Sequence, residues 1–150
     1  MQSNELRLGN LVTIDNEKYW AKLKNMPLKV IAITQMPQLD GSTNGVSLEH
    51  INQIPNTFYE TYSQFIHFIK PIQINEAWLK SFGFQETYNS QFRLKFDHSV
   101  NFIGFDFSKN EDKSMEGFRY YGHYMKIKYV HELQNLVYAL TGEELSLSGI

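Results

Sequence analysis

The chain has 150 residues, a formal net charge of −2 and no cysteine. It is the size of one ordinary domain, and the missing thiols exclude disulfides, thiolate zinc sites and cysteine nucleophiles. Near-balanced charge supplies no global field for nucleic acid or an anionic membrane, and no apolar run approaches membrane length, which predicts a cytoplasmic protein without signal peptide or span.

Aromatic residues make up 15% of the chain, nearly all Phe and Tyr, which favour strands and carry large buried area. Leu6 to Ile14 reads as a first strand closed by an Asp15-Asn16 turn, followed by a second extended piece at Lys18 to Leu23. Leu28 to Thr34 reads as a third strand, too apolar on both faces for a sheet edge. Short strands divided by tight turns predict a small curved sheet or an SH3-like half-barrel. Met36 to Gly45, rich in Pro, Asp, Gly, Ser and Asn, reads as a loop. Ser47 is placed to cap a short helix with Leu48, Ile51 and Ile54 inward, ended by Pro55. Between Phe58 and Ile69 helical and alternating patterns compete, and Pro71 favours a strand at Phe65 to Ile69.

Asn75 caps a predicted helix over Glu76 to Phe82, with Trp78, Leu79 and Phe82 as its apolar stripe and Gly83 as its stop. The pattern then switches to period two. Phe92, Leu94 and Phe96 point one way, and Arg93, Lys95 and Asp97 the other. Val100 to Phe107, with Gly104 as a bulge or close-packing point, a charged loop at Ser108 to Glu116 and a strand at Gly117 to Lys128 complete an antiparallel meander over 84–128. Val130, Leu133, Val137 and Leu140 recur at helical spacing, widened by Leu136, and Gly142 fits a left-handed stop. The expected fold is a single α+β domain over 1–150. In it a C-terminal helix, Val130 to Thr141, covers the meander beside the N-terminal β region. Trp78, Leu79, Phe82, Leu94, Phe96, Leu133, Val137 and Leu140 form its expected core.

Three surfaces are candidates for function. His131, Gln134, Asn135 and Tyr138 fall at i, i+3, i+4 and i+7, one stripe of neutral donors and acceptors where an ordinary solvent face would carry Lys and Glu. Such a stripe suits a partner, or hydrogen bonds to the protein's own N-terminal sheet. Lys18, Tyr19, Trp20, Lys22, Lys24 and Lys29 interleave cations with rings, as do Tyr120, Tyr124, Lys126 and Lys128 on one face of the last strand, which suits phosphates and stacked bases or solvated lysines beside a core. Tyr120, Tyr124, Tyr138 and Trp20 are the candidate partner anchors. Asp97, His98 and Asp106 on adjacent strands could do acid–base chemistry, the enzymatic alternative. His131-Glu132 starts no zinc-protease motif, because Asn135 holds the place of the second His; no cluster has metal-ligand spacing, so neither cofactor nor metal is expected.

Asn4-Glu5-Leu6-Arg7-Leu8-Gly9-Asn10, the run from Lys70-Pro71-Ile72 through Glu76-Ala77-Trp78-Leu79-Lys80-Ser81-Phe82-Gly83-Phe84, and Tyr129-Val130-His131-Glu132-Leu133-Gln134-Asn135-Leu136 ending in Ala139-Leu140-Thr141-Gly142-Glu143-Glu144-Leu145 resemble a family of small uncharacterised proteins carried by phages and integrated bacterial elements. Residues 36–66 fit that pattern poorly and look like an insert. The resemblance implies no catalytic residues. It implies a setting: a bacterial host cell, and binding to a host protein or ribonucleoprotein. Inhibition of a CRISPR-type, RNA-guided defence nuclease is a recurrent case. Binding to free nucleic acid is expected to be weak, given the negative net charge.

Overall fold

Alternating apolar residues pair the first half of the chain into a five-stranded antiparallel sheet. In this computed structural model the strands are β1 (Leu11–Ile14), β2 (Leu28–Gln38), β3 (Gly41–His50), β4 (Tyr62–Phe65) and β5 (Ile69–Pro71). The structure describes residues 3–15, 23, 25–38, 41–51, 61–87, 91–96, 103–109, 115–120 and 123–148; within these, the side chains of residues 3, 36–38, 41–43, 95–96, 103–109, 115–120 and 123–124 are outside the description. The sheet order is β4-β3-β2-β1-β5, and a 3-10 turn at Ile66–Phe68 joins β4 to β5. That order, with β1 paired to both β2 and β5, is the connectivity of SH3-like folds. β2 is central, as its two apolar faces require. A bulge between Val30 and Ala32 bends it, so that Val30 and Ile33 both turn toward the core side. The core gathers Leu6, Val12, Ile14, Leu28, Val30, Val46, Leu48, Tyr62 and Ile69.

Several expectations for this half are corrected. The first strand shortens to Leu11–Ile14, because Leu8 and Gly9 form a turn in which Gly9 has φ +88°. The expected loop at Met36 to Gly45 and helix from Ser47 are one long hairpin, with Gln38 paired to Gly41 and Val46 and Leu48 alternating with Ser47 and Glu49. Pairing with an apolar central strand overrides the weak strand propensity of Gly41 to Gly45. The expected strand at Phe65 to Ile69 is broken by the 3-10 turn. The extended piece at Lys18 to Leu23 lies outside the described residues except for buried Leu23, and Ile54, Pro55 and Phe58 lie outside them too.

The second half forms the expected meander: β6 (Gln85–Glu86), β7 (Gln91–Phe96), β8 (Ile103–Lys109), β9 (Met115–Tyr120) and β10 (His123–Met125), paired in chain order. Here the expected last strand at Gly117 to Lys128 divides into the β9–β10 hairpin. Gly104 pairs regularly with Lys95, and the irregularity sits at Ser108/Lys109 instead. Helix α1 (Glu76–Ser81) begins where Asn75 Oδ1 accepts from the Trp78 N–H at 3.0 Å and stops at Gly83, φ +83°. Leu79, Phe82, Phe84 and Phe92 are buried, whereas Trp78 and Leu94 are only half-buried. Phe96 has its side chain outside the description.

Helix α2 (Val130–Thr141) has the expected bounds, and Gly142 adopts φ +75° behind it. Leu133 and Val137 are fully buried, Leu140 half-buried. The fold is thus α+β. The domain expected over 1–150 divides into two compact units, Met1–Ile72 with Val130–Glu144, and Gln73–Tyr129 with Leu145–Ile150. α2 therefore belongs with the N-terminal sheet, docking on β1, where the sequence placed it over the meander. Its polar side chains give the reason: they bond the backbone that leads into β1.

Candidate functional site

The stripe on α2 meets the N-terminal segment. Gln134 is 3% exposed; its Oε1 accepts from the Leu11 N–H at 2.8 Å and its Nε2 donates to the Gly9 carbonyl at 3.2 Å. Asn135 Nδ2 donates to the Glu5 carbonyl at 2.9 Å, while its Oδ1 accepts from Asn10 Nδ2 at 2.9 Å. Asn10, wholly buried, accepts in turn from the Arg7 N–H at 2.8 Å. Gly9 at positive φ turns its carbonyl to Gln134 while its N–H donates to Val30. The two terminal motifs thus recognise each other. Of the two readings open for the stripe, the hydrogen bonds of Gln134 and Asn135 follow the one that ties it to the protein's own N-terminal segment, with Gln134 and His131 buried and Asn135 half-buried.

His131 is 3% exposed in the first turn of α2. Burial lowers its imidazole pKa from the ordinary 6.5, partly opposed by Glu132 and Glu5. Tyr138 is the exposed end of the stripe. The Arg7 guanidinium lies 3.6 Å above its ring centre and bonds Glu144 at 2.6 Å. Arg7 Nη1 is buried without a hydrogen-bond partner.

Two outward features of the same unit escaped the sequence. The first is a rim of rings at the 3-10 turn. Phe65 pairs opposite Gly45, which offers no side chain, and its ring lies 5.7 Å from His67 at 8°. His67 in turn lies 4.1 Å from Phe68. His67 is exposed, with Phe65 and Phe68 half-buried. The turn is pinned from behind: the Asp15 N–H donates to the Phe68 carbonyl at 2.8 Å, the Ile69 N–H to Ile66, and Ile66 packs on the core. Beside the rim, Ser63 and Ser47 pair across β3 and β4, and Lys70 stands 3.5 Å from Asp15. The alternation of Phe65, His67 and Ile69 was visible, but a strand reading sends successive side chains to opposite faces, so it parts His67 from Phe68 and groups it with Ile69, which is buried.

The second feature is an open groove of about 660 Å³ lined by Arg7, Leu8, Ile31, Ala32, Ile33 and Glu144. Leu8, on the Gly9 turn, is 57% exposed. Ile31 is the extra residue of the β2 bulge. Apolar residues in a predicted strand read as core, which is why neither stood out.

The remaining candidates do not come together. Lys18, Trp20, Lys22 and Lys24 lie outside the described residues, as do Asp97 and His98 of the enzymatic alternative. Lys29 pairs with Glu49 at 3.1 Å across β2 and β3. Tyr120 and Tyr124 fall on different strands, β9 and β10, in register with His123 and Arg119, where one strand was expected to carry both. Lys126 and Lys128 follow β10 and are exposed. Asp106 occupies a register position between Arg93 and Arg119. Among the described residues no group of three His, Asp or Glu could hold a metal ion, and no helix is long and apolar enough to cross a membrane. Compared with protein-family models, curated proteins and solved structures, the chain matches none of them.

Proposed function

We propose that the protein acts without catalysis, as a phage or mobile-element accessory factor that occupies a host protein, with the rim of Phe65, His67 and Phe68 as its anchor. The observation that carries this reading is an exposed His67 ring flanked by the half-buried rings of Phe65 and Phe68, in a turn fixed from behind by backbone hydrogen bonds. Interface centres favour aromatic anchors, and a ring already held in place loses little freedom on binding. Lys70 and Lys29 stand beside Asp15 and Glu49, so a phosphate backbone would meet paired charge there, which favours a protein partner. The resemblance of the terminal motifs supplies the setting, and a CRISPR-type, RNA-guided defence nuclease is the specific partner to test.

Affinity capture from the bacterial host with the wild type and with His67→Ala and Phe68→Ala tests this. The wild type should recover a nuclease or ribonucleoprotein. Loss of a true anchor should cost more than about 2 kcal/mol of binding, with His67→Ala leaving the melting temperature in place. Recovery of no nuclease or ribonucleoprotein, together with no protection of phage in defended hosts, would end the proposal. A second reading, nucleic-acid binding, draws on exposed Lys126 and Lys128. It requires tight binding to a bare oligonucleotide that falls steeply with salt.

A further inference from the structure

Strand β2 outruns its neighbour. β1 meets it at Leu28 and Lys29, and the ladder ends where the Val30 N–H donates to the Asn10 carbonyl at 2.9 Å and the Val30 carbonyl accepts from the Gly9 N–H at 2.8 Å. There Gly9, at φ +88°, turns the chain off the edge, and the Asn10 N–H closes the turn onto the Arg7 carbonyl at 3.2 Å. From Ile31 to Gln38 no described strand flanks β2 on that side.

The register identifies the backbone groups left there. From Ala32 to Gln38 the pairing with β3 is regular, so alternate residues turn their N–H and C=O toward β3 and away from it. Pro37 has no N–H to give and stands opposite Ser42, which places it among those that face away. Gln35 and Ile33 share its phase. Val30, on the other side of the bulge, faces the same way and is the residue bonded to Gly9 and Asn10. Ile33 and Gln35 therefore continue the row that Val30 begins, and among the described residues no backbone group takes up that continuation. Beside the row lies the groove lined by Leu8, Ile31, Ala32 and Ile33. Its charged liners, Arg7 and Glu144, are bonded to each other at 2.6 Å, so it suits an uncharged side chain.

We infer that this edge is a peptide-binding site. An extended segment of a partner protein adds beside β2 in the line that β1 leaves, exchanging backbone hydrogen bonds with Ile33 and Gln35 and setting an apolar side chain in the groove. A row of alternating donors and acceptors is matched by another extended backbone. A phosphate backbone supplies acceptors alone and leaves the carbonyls of the row unmatched. Pro37, which has no donor, sets the far end of the site. The rim is separate, since β4 lies across β3 from this edge.

Amide NMR and hydrogen exchange of the isotope-labelled full chain test the inference. In the free protein the Ile33 and Gln35 amides should exchange at least about tenfold faster than that of Thr34, which faces β3. The probes are acetylated, amidated Lys-Thr-Xaa-Thr-Xaa-Thr-Lys peptides with Val, Ile, Leu or Phe at Xaa. At about 1 mM, at least one should shift the Ile33 and Gln35 amides saturably and slow their exchange at least about fivefold. N-methylating its central residues should abolish both effects, because the side chains stay and the donors are gone. Gln35→Pro removes one donor of the row and should weaken binding at least about fivefold while Thr34 stays protected. Leu8 is 57% exposed, so Leu8→Asp should weaken binding with no change in melting temperature and makes the test independent of how the chain tolerates the proline. Ile33 and Gln35 amides as protected as Thr34 in the free protein would show an edge already covered, by the chain or by a second copy, and overturn the inference. Probes that all leave these amides unmoved would overturn it too, as would one that binds equally well when N-methylated. Capture of a host partner through the rim is a separate reading, and none of these outcomes bears on it.

Discussion

The seam under α2 and the rim at the 3-10 turn are built from similar material, rings and neutral polar groups, and use it in opposite directions. In the seam, the side-chain amides of Asn10, Gln134 and Asn135 are tied to backbone or to one another over separations of more than a hundred residues. In the rim, hydrogen bonds are made by the backbone alone, and the rings it fixes stay at the surface. A stripe of neutral donors and acceptors therefore does not announce a partner. What separates an interface from a seam is whether the fold already supplies acceptors for those donors. Substitutions should tell the two apart: seam residues should move stability, and rim residues should move binding alone.

The largest effect should come from the apolar side of the seam. Leu133, on the helix that docks on β1, has no exposed surface. Leu133→Ala should cost about 2–5 kcal/mol, read as a fall in the urea midpoint at unchanged slope. A midpoint that stays in place would detach α2 from the core and dissolve the seam.

This helix was also the most legible part of the sequence. Its apolar spacing and terminal glycine fix its bounds, because a helix reports its buried face within four residues. The meander was legible for the same local reason, since period two recurs in β7 and its neighbours. Where α2 docks was not legible, because the partners of Gln134 and Asn135 lie at the other end of the chain and no periodicity encodes that distance. The β2–β3 hairpin failed differently. Its turn-type residues from Gly41 to Gly45 look like loop, and only pairing with β2 makes them strand. The rim and the groove were hidden because both are made of apolar residues in extended segments, which sequence pattern assigns to the core by default.

A smaller loss should follow Gln134→Leu, which keeps the volume and removes both polar contacts. It strands the Leu11 N–H and the Gly9 carbonyl against an apolar side chain, at about 1–3 kcal/mol for a buried orphan. Gln134→Glu keeps the acceptor for Leu11 but sets a carboxylate against the Gly9 carbonyl, so it should rescue only part of the loss. His67→Ala makes the contrasting test, since an exposed rim residue should shift the same denaturation curve by no more than about 0.5 kcal/mol. Equal losses from Gln134→Leu and His67→Ala would erase the distinction between the two regions.

The smallest and most specific effect is a pH dependence that only the seam should show. His131 is buried, and its place in the first turn of α2 puts it at the positive end of the helix dipole, so two effects favour the neutral ring. Glu132 and Glu5 oppose them without reversing the direction, and the folded-state pKa lies below 6.5. Above pH 6.5 the ring is neutral in both states and costs the fold nothing. As pH falls through 6.5, the unfolded chain takes up the proton first, and stability declines until the folded-state pKa is passed. Unfolding free energies of the wild type and His131→Gln, measured from about pH 8 to about pH 5.5, should therefore converge as the solution becomes acid. The variant starts lower, since it loses the packing of the ring, but it carries no proton to take up. Parallel curves would mean that His131 titrates alike in both states and that the seam is open to water at the start of α2.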